Sequence, residues 1–220
     1  MTKDNTVSCY DKHARSYDIY QSAVVPGYQD MIEITAQACR RYLPENSNII
    51  DLGCGTGNAA LAILKRIPAR VFLIDGSSRM VDIAHEKISL AGSDTILGCK
   101  VADLSDDDWD AYLDGGKYDA IVSTLVLEHL PFDAYRLVIE KCFQLLRPGG
   151  WLLATEGYDA PGSDMQEWFF GEMENRRRMV DPEISDFVAR ERNENEVHYY
   201  ASKSEKAMWW MKAGFVNVNI

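Results

Sequence analysis

The feature that most constrains the fold of this chain is residues 48–57, which read NIIDLGCGTG. The mostly apolar residues at 49–52 predict the end of a buried strand. Three glycines at alternate positions, Gly53, Gly55 and Gly57, predict a sharp turn that another group approaches closely. The run NAALAILK at 58–65 then predicts a helix. A strand, a glycine turn and a helix in this order present backbone N–H groups to a ligand.

The same alternation of strand and helix continues to residue 156. Mostly apolar runs predict strands at 49–52, 71–74, 96–101, 118–123 and 151–155, with helical segments between them. This order predicts a parallel sheet that helices cover on both faces. The expected fold class is therefore α/β, with a three-layer, Rossmann-like and mostly parallel sheet.

The pattern divides the chain into four segments. Residues 1–45 predict a helical N-terminal extension, and residues 46–156 predict the Rossmann-like core. Residues 157–201 are rich in charged and aromatic side chains and lack strand alternation, which predicts a helical cap insertion over the sheet. Residues 202–220 predict the last helix and, in the alternating VNVNI at 216–220, a last strand.

Composition limits the classes of function that remain. With 46% hydrophobic residues in 220, the chain has the make-up of an ordinary globular domain. No apolar run approaches the ~20 residues that span a bilayer, and the N-terminus lacks the apolar core of a signal peptide. We therefore expect a cytoplasmic protein with no membrane partner. The net charge of −11 disfavours nucleic acid as a partner.

The cysteines and histidines do not form a metal-binding pattern. The five cysteines are scattered without a CxxC pair, and the four histidines do not cluster with them. We expect no metal, no disulfide framework and free, mostly buried thiols.

Polar or glycine residues lie at the carboxyl ends of four of the predicted strands, where parallel strands form a ligand-binding rim. They are Asp51 to Gly53, Asp75 with Gly76, Asp103 with Leu104, and Ser123 with Thr124. A dinucleotide fingerprint G-x-G-x-x-G would require a small residue at position 58, where the chain has Asn58, and no P-loop pattern is present.

These motifs together resemble class I S-adenosylmethionine-dependent methyltransferases. They are DLGCGTG at 51–57, Asp75 at the end of the second strand, ADL at 102–104, YDAIVSTLVL at 118–127 and LRPGG at 146–150. The resemblance covers residues 10–155 well and 202–220 moderately. It implies methyl transfer from S-adenosylmethionine to a small-molecule acceptor, with S-adenosylhomocysteine as product. The chain is also similar to the family that includes carboxymethyl-transferring tRNA-uridine enzymes.

Two alternatives remain beside methyl transfer. A non-catalytic S-adenosylmethionine-binding or regulatory protein would keep the same fold. A carboxymethyl-type tRNA-modifying enzyme would use a cofactor with an extra carboxylate, which needs a basic group in the pocket, and the acidic chain makes tRNA binding unfavourable.

The resemblance also implies which residues bind the cofactor. Asp75 would accept hydrogen bonds from the ribose hydroxyls, which one carboxylate can take together. Asp103 would accept from the adenine amino group, unless it is only a loop acid. Tyr17 would close over the cofactor, unless it is a packing aromatic. The full implied set is Tyr17, Asp51, Gly53, Cys54, Gly55, Asp75, Gly76, Met80, Ala102, Asp103, Leu104, Ser123 and Thr124.

Fewer residues suggest how an acceptor is bound. His129, just after the fourth strand, is the candidate general base or substrate contact, and a role in structuring its loop is equally compatible with its position. Further substrate candidates are Trp168, Arg176, Arg177, His198 and Tyr199. The arginines would suit an anionic substrate, whereas a solvated or ion-paired helix face is the simpler interpretation.

One feature departs from the methyltransferase pattern. The sheet of that class normally has two more strands after the fifth, the last one antiparallel, and residues 216–220 can supply one strand only. The missing strand would leave an unpaired edge. A partner chain, for example in a homodimer, would cover that edge.

Overall fold

A computed structural model describes residues 4–157, 163–186 and 197–220. Its centre is a five-stranded sheet in the order β3-β2-β1-β4-β5, and every pairing is parallel. The strands are β1 (Ser47–Leu52), β2 (Ala69–Asp75), β3 (Ile96–Val101), β4 (Tyr118–Thr124) and β5 (Leu146–Thr155). The α/β, Rossmann-like prediction is confirmed. The strand order reverses between β1 and β4, which is where such sheets open a crevice for ligands.

Eight helices surround the sheet in the described ranges, beside two short 3-10 turns at Ser93–Thr95 and Leu127–His129. Residues 182–186 are also helical. None of the described helices is long and apolar enough to cross a membrane. The eight are α1 (Asp4–His13), α2 (Tyr17–Val24), α3 (Tyr28–Tyr42), α4 (Asn58–Leu64), α5 (Ser78–Ser89), α6 (Phe132–Leu145), α7 (Ser163–Arg177) and α8 (Lys203–Ala213).

The central strands are buried on both faces, as the apolar runs predict. Successive residues of β1 face opposite sides, so Ile49 belongs to one core cluster and Ile50 to the other. The first cluster contains residues of α3, α4 and α5, and the second contains residues of α6 and α8. Trp209 and Trp210 of α8 complete the second cluster. The sheet is thus fixed between two helix layers, with its carboxyl rim left for the site.

The prediction of a strand at residues 216–220 is wrong, because no strand is assigned there. Asn217 has φ +55°, which interrupts an extended backbone. Phe215 and Val218 pack against the core while Val216 is 81% exposed, so the segment does not bury alternate residues as a strand would. The alternation in the sequence is therefore not matched by strand pairing.

The LRPGG stretch also differs from expectation, because β5 begins at Leu146 and not at Trp151. Gly149 has φ +79°, and the register between β4 and β5 shifts between Tyr118 and Ala120. The glycine therefore accommodates a bulge inside a strand that starts earlier than the apolar run suggests.

A buried carboxylate joins three strands of the sheet at the end opposite the rim. Asp119 of β4 accepts a hydrogen bond from the backbone N–H of Asn48 in β1 at 2.7 Å. Its other oxygen lies 2.6 Å from a guanidinium nitrogen of Arg147 in β5, and the Asp119 side chain is 12% exposed. The Asp119 carboxylate thus bonds to both strands that flank β4, which are β1 and β5.

Removing this carboxylate should weaken the fold. We expect Asp119→Ala to lower the free energy of unfolding by about 1–3 kcal/mol, because a backbone N–H loses its partner. The measurement is urea unfolding followed by circular dichroism. Asp114→Ala is the matched control, since Asp114 is 73% exposed in its pair with Lys117, and it should cost under about 0.5 kcal/mol. Equal losses in the two variants would contradict the assignment.

Candidate functional site

The glycine turn forms as the sequence predicts, between β1 and α4. Gly53, Gly55 and Gly57 have φ values of +70°, +50° and +80°. Two features exclude a side chain at Gly53. Its positive φ favours glycine, and a Cβ there would lie 2.4 Å from Val126. Asp51 is buried and its carboxylate accepts a hydrogen bond from the backbone N–H of Ala60 at 3.1 Å. Burial raises the pKa of Asp51 to about 7.

Asp75, at the end of β2, fixes the shape of this turn. One carboxylate oxygen accepts from the backbone N–H of Gly55 at 2.8 Å, and the other accepts from that of Ser77 at 2.9 Å. The backbone N–H of Cys54 donates to Ile74, beside Asp75, at 2.8 Å. Burial raises the pKa of Asp75, and the backbone N–H groups oppose that effect. Each carboxylate oxygen has a second lone pair for a ligand hydroxyl.

A polar network ties α2 to the turn. Asp18 accepts from the Thr56 hydroxyl at 2.5 Å and from the Asn58 amide at 2.8 Å, and it pairs with the Lys87 ammonium at 2.8 Å. The residue that departs from the dinucleotide fingerprint, Asn58, therefore has a structural role. This docking places the Tyr17 ring 3.7 Å from the position that a Cβ at Gly55 would occupy.

Helix α1 covers the end of β2. A Cβ at Gly76 would lie 2.8 Å from a methyl group of Val7, so only glycine permits this approach. Asp11 of α1 accepts from the Ser77 hydroxyl at 2.8 Å and from the backbone N–H of Arg79 at 3.1 Å. The N-terminal extension therefore closes over the rim beside Asp75.

The predicted residues after β3 lie next to Asp75. The backbone N–H of Ala102 donates to the Asp75 carbonyl at 2.9 Å. One Asp103 oxygen accepts from both the backbone N–H and the hydroxyl of Ser105, at 2.8 and 2.7 Å. Leu104 and Met80 are buried. Apolar and acidic groups are thus brought together where the strand ends meet.

Buried hydroxyls line the ends of β4 and β5. The oxygens of Ser123, Thr124 and Thr155 are buried and lack a hydrogen-bond partner within the described ranges. Thr124 and Thr155 are register partners on the neighbouring strands. Orphaned buried hydroxyls are costly unless a ligand or water satisfies them. They therefore mark this part of the rim as a place that a polar ligand group fits.

A cavity of about 320 Å³ opens beyond the same two strand ends. Its walls are rich in aromatic and methionine side chains, and α7 supplies four of them, Met165, Phe169, Phe170 and Met173. Side chains of α1, α2 and α3 close the other side. This is the size and character of a small-molecule pocket. The remaining lining residues are Tyr10, Gln21, Val25, Met31, Leu125, Glu128, His129, Glu156, Gly157, His198 and Tyr200.

Two adjacent residues connect the cavity with the glycine turn. Leu125 lines the cavity and has φ +56°, an uncommon conformation for a bulky residue. Its backbone N–H donates to the Thr155 carbonyl at 2.7 Å. Val126, the next residue, is the one that touches Gly53. Such strain is frequent at functional sites, and here it brings the two regions into contact.

A buried acidic cluster forms the polar end of the cavity. Lys206 of α8 is 1% exposed, and its ammonium lies 2.7 Å from Glu156, which follows β5. Glu156 also accepts from the Tyr135 hydroxyl at 2.8 Å, and Tyr135 accepts from the Trp210 indole N–H at 2.9 Å. Both oxygens of Glu156 are therefore satisfied.

Glu128 lies beside this cluster and is 3% exposed. One of its carboxyl oxygens has no hydrogen-bond partner in the described part of the chain. Burial above all, and then the Glu156 carboxylate, raise the pKa of Glu128 to about 8, against the opposing effects of nearby backbone N–H groups and Lys206. The carboxyl group is therefore mostly protonated at neutral pH.

His129 lies at the cavity with both ring nitrogens engaged. Nδ1 is 3.0 Å from the carbonyl oxygen of Val197, so it donates there, and Nε2 is 3.2 Å from the Tyr10 hydroxyl. The His198 ring lies 4.5 Å from the His129 ring, centroid to centroid. The two candidate histidines are thus brought together, with Tyr10 of α1 beside them.

Four substrate candidates do not line this cavity. Trp168 is 60% exposed. Arg176 pairs with Glu172 at 2.9 Å and Arg177 with Glu174 at 2.7 Å, both within α7. Tyr199 contributes its backbone N–H, which donates to the Glu128 carbonyl at 2.6 Å. The arginines thus form an ion-paired helix face, the simpler of the two interpretations.

Glu128, Glu156 and Lys206 belong to none of the sequence motifs and were not among the predicted site residues. A glutamate inside the apolar run TLVLEHL is an unusual signal, because charged residues are rarely buried without a reason. Lys206 gives a weaker signal, since it follows the capping residues of α8 as any exposed lysine could. Among the described residues, no group of three or more histidine, cysteine or acidic side chains could hold a metal ion.

The buried pair of Lys206 and Glu156 predicts a large effect of mutation. We expect Lys206→Met to lower the free energy of unfolding by about 3–5 kcal/mol, because Glu156 keeps its charge in a buried place. Adding Glu156→Gln should restore part of this loss. Lys212→Met is the matched control at an exposed position of α8. Urea unfolding checks the prediction, and a loss no larger than that of the control would contradict it.

The raised pKa of Glu128 predicts that the stability of the protein depends on pH. Its pKa in the folded protein, about 8, lies above the ordinary 4.5, so the folded state retains a proton that the unfolded state has lost between these values. Stability therefore falls as pH rises from about 4.5 to 8, by up to about 1.4 kcal/mol per pH unit.

Glu128→Gln should remove this contribution. The difference in free energy of unfolding between the native protein and the variant should change across that pH range. Glu140→Gln, on the exposed face of α6, should leave the profile unchanged. Urea unfolding at a series of pH values is the measurement, and a difference independent of pH would refute the raised pKa.

Comparisons with known proteins agree with this geometry. A family profile described as a methyltransferase domain matches residues 49–150. Carboxy-S-adenosyl-L-methionine synthase of Shewanella amazonensis is 34% identical over 145 residues, which are 64% of this chain and 57% of that protein. The chain thus spans little more than half the length of the curated relatives it matches.

Solved structures share the architecture. Phosphoethanolamine N-methyltransferase 2 of Haemonchus contortus, in complex with S-adenosyl-L-methionine, has a TM-score of 0.62 at 15% identity and covers 95% of this chain and 42% of that one. A chain from the complex between the Haloferax volcanii Trm112 methyltransferase activator and a methyltransferase has a TM-score of 0.61 at 20% identity, covering 93% and 75%. These identities establish the fold alone. The resemblance drawn from the sequence is confirmed: residues 49–150 match a methyltransferase domain profile, and the sheet has the Rossmann-like architecture of the solved methyltransferase structures.

Proposed function

We propose that this chain transfers a methyl group from S-adenosylmethionine to a small-molecule acceptor. The observation that carries the proposal is the contact between two regions at the end of β4. Val126 touches Gly53 of the glycine turn, and Leu125 lines the cavity. A non-catalytic binding protein needs the first region only, whereas a transferase needs a second pocket beside it.

The residues of the first region fit S-adenosylmethionine. Backbone N–H groups of the glycine turn would meet its methionine part, and Asp75 would accept from the ribose hydroxyls. The orphaned hydroxyls of Ser123 and Thr124 would face the polar atoms next to the sulfonium. The remaining members of the set are Tyr17, Asp51, Cys54, Gly76, Met80, Ala102, Asp103 and Leu104.

The chain itself contributes positioning more than chemistry. When bound, S-adenosylmethionine supplies an electrophilic methyl group on a sulfonium whose leaving group is a neutral thioether. The helices α1, α2 and α7 would exclude water and hold the acceptor in line with that methyl group. Alignment of this kind can supply much of the rate. His129 remains a candidate contact to the acceptor, beside Tyr10.

The relatives named carboxy-S-adenosyl-L-methionine synthase favour a second candidate, the formation or use of a cofactor with an extra carboxylate. Such a carboxylate requires a cation. The described part of the cavity wall has Glu128 and Glu156 and no lysine or arginine, and Lys206 is already paired with Glu156. Methyl transfer is therefore the better fit. Mass spectrometry of the reaction products separates S-adenosylhomocysteine from a carboxylated S-adenosylmethionine.

Asp75 provides the test of the cofactor site. We expect Asp75→Ala to weaken S-adenosylmethionine binding by about tenfold to a hundredfold, because two hydrogen bonds to a buried carboxylate are lost. Titration calorimetry measures the affinity. Asp82→Ala, at an exposed position of α5, is the matched control and should bind as the native chain does.

The variants must also be compared for folding, since Asp75 holds the glycine turn. Circular dichroism and thermal unfolding show whether each variant remains folded. A folded Asp75→Ala protein that binds S-adenosylmethionine with unchanged affinity would contradict the assignment of Asp75 to the ribose.

A further inference from the structure

We propose that the 320 Å³ cavity takes an acceptor with an apolar body and an amine group, and that the Glu128 carboxyl group holds that amine and accepts its proton. This inference rests on the proposed methyl transfer and adds the chemical class of the acceptor. It also assigns the proton-accepting role to Glu128 in place of His129.

The first observation is that Glu128 is buried with an oxygen that lacks a partner among the described residues. The side chain is 3% exposed, it lines the cavity, and no described residue donates to the free oxygen. A buried carboxyl oxygen without a donor is costly to the fold. A ligand that donates a hydrogen bond at this point would remove that cost.

The second observation is that the other polar groups around Glu128 are already engaged. Glu156 is satisfied by Lys206 and Tyr135, at 2.7 and 2.8 Å. His129 uses Nδ1 on a backbone carbonyl and Nε2 on the Tyr10 hydroxyl. Of these three described groups, Glu128 is therefore the one that a ligand can engage without breaking an existing contact.

The third observation is the character of the walls. Phe169, Phe170 and Met173 of α7 line the cavity together with Tyr10 and Tyr200. Such walls bind an apolar body by burial of its surface. Aromatic faces also attract a cation, so they tolerate an ammonium group as well.

The charged groups that line the cavity favour an amine over an anionic acceptor. The lining carries two carboxyl groups and, among described residues, no lysine or arginine. A phosphate or carboxylate would find no unpaired cation among the described groups, because Lys206 pairs with Glu156, and Arg176 and Arg177 pair within α7. An amine donates hydrogen bonds and brings positive charge, which both features of the site favour.

The protons of the amine and of Glu128 can both be accounted for. Glu128, which is mostly protonated in the free protein at neutral pH, loses its proton to solvent as the ammonium binds, so that a carboxylate and an ammonium lie together. The ammonium must then lose a proton before its nitrogen lone pair can act as nucleophile. The N–H bond breaks, its electron pair stays on nitrogen, and the proton forms an O–H bond on the Glu128 carboxylate. Burial favours the neutral amine and neutral acid over the ion pair. The raised pKa of Glu128 makes its carboxylate a stronger base for this step.

The charged and titratable groups around Glu128 come from several elements. Glu156 follows β5, Lys206 lies on α8 and Tyr135 on α6, while Tyr10 of α1 and the rings of His129 and His198 lie at the cavity. Lys206 and Glu156 compensate each other's charge. The carboxyl group of Glu128 is the one left for the ligand to compensate.

The test uses three probes with the same body, 3-phenylpropylamine, 3-phenylpropanol and 3-phenylpropionate, each titrated with and without S-adenosylhomocysteine. We expect the amine to bind at least about tenfold more tightly than the alcohol and the carboxylate. In Glu128→Gln this preference should fall below about threefold, and Glu140→Gln should retain it. An alcohol or carboxylate that binds as tightly as the amine would overturn the proposal.

A second measurement needs no variant. Because Glu128 is mostly protonated at pH 7, amine binding should release about one proton per molecule bound. Calorimetry in buffers of different ionisation enthalpy measures that number, which should be near zero for the alcohol. No proton release with the amine would contradict the role of Glu128, whether or not Glu128→Gln folds.

The two proposals fail in different ways. If S-adenosylhomocysteine binds and S-adenosylmethionine is consumed with another acceptor class, methyl transfer stands and the amine assignment falls. If neither cofactor form binds the native chain, the proposed function falls, and the inference that rests on it falls too.

Discussion

The hydrogen bond from the backbone of Gly55 to the Asp75 carboxylate is the contact on which the site depends, because it joins the glycine turn to the end of β2. The turn needs three left-handed glycine conformations, and it is stable only if its N–H groups find partners. Once it is fixed, Asp18 can dock α2 on it, and Val126 can pack against Gly53. The shape of the turn therefore determines where both the N-terminal helices and the end of β4 lie.

Most of this arrangement follows from local sequence rules combined with the geometry of a parallel sheet. Apolar runs fix the strands, parallel pairing brings their carboxyl ends to one rim, and Asp75, Ala102 and Ser123 then have to lie near the glycine turn. The buried acidic cluster is different. Glu156 and Lys206 meet only because α8 packs on the second face of the sheet. Neither the spacing nor the type of these residues distinguishes them from exposed ones, so the sequence contains no local rule that predicts the pair.

The sequence predictions that the structure contradicts also failed for physical reasons. Residues 216–220 alternate as a strand does, yet alternation forms a strand only where a neighbouring edge pairs with it, and Asn217 adopts a left-handed conformation instead. Trp168 was a candidate substrate contact, whereas α7 contributes Phe169 and Met173 to the cavity and leaves Trp168 exposed. Its arginines are accounted for locally, since glutamates three or four positions earlier lie on the same helical face.

The two carboxyl groups at the rim, the half-buried Asp75 and the buried Glu128, differ in how their charge is compensated. Burial raises the pKa of both Asp75 and Glu128. Asp75 is compensated by backbone N–H groups, which carry no full charge and stay in place whatever is bound, so it can accept from neutral hydroxyls without a change of protonation. Glu128 lines the cavity beside an ion pair that is already complete, and one of its oxygens has no hydrogen-bond partner among the described residues. Compensation for Glu128 has to come from a donor that enters the cavity, and a donor that brings its own positive charge compensates the carboxylate most fully.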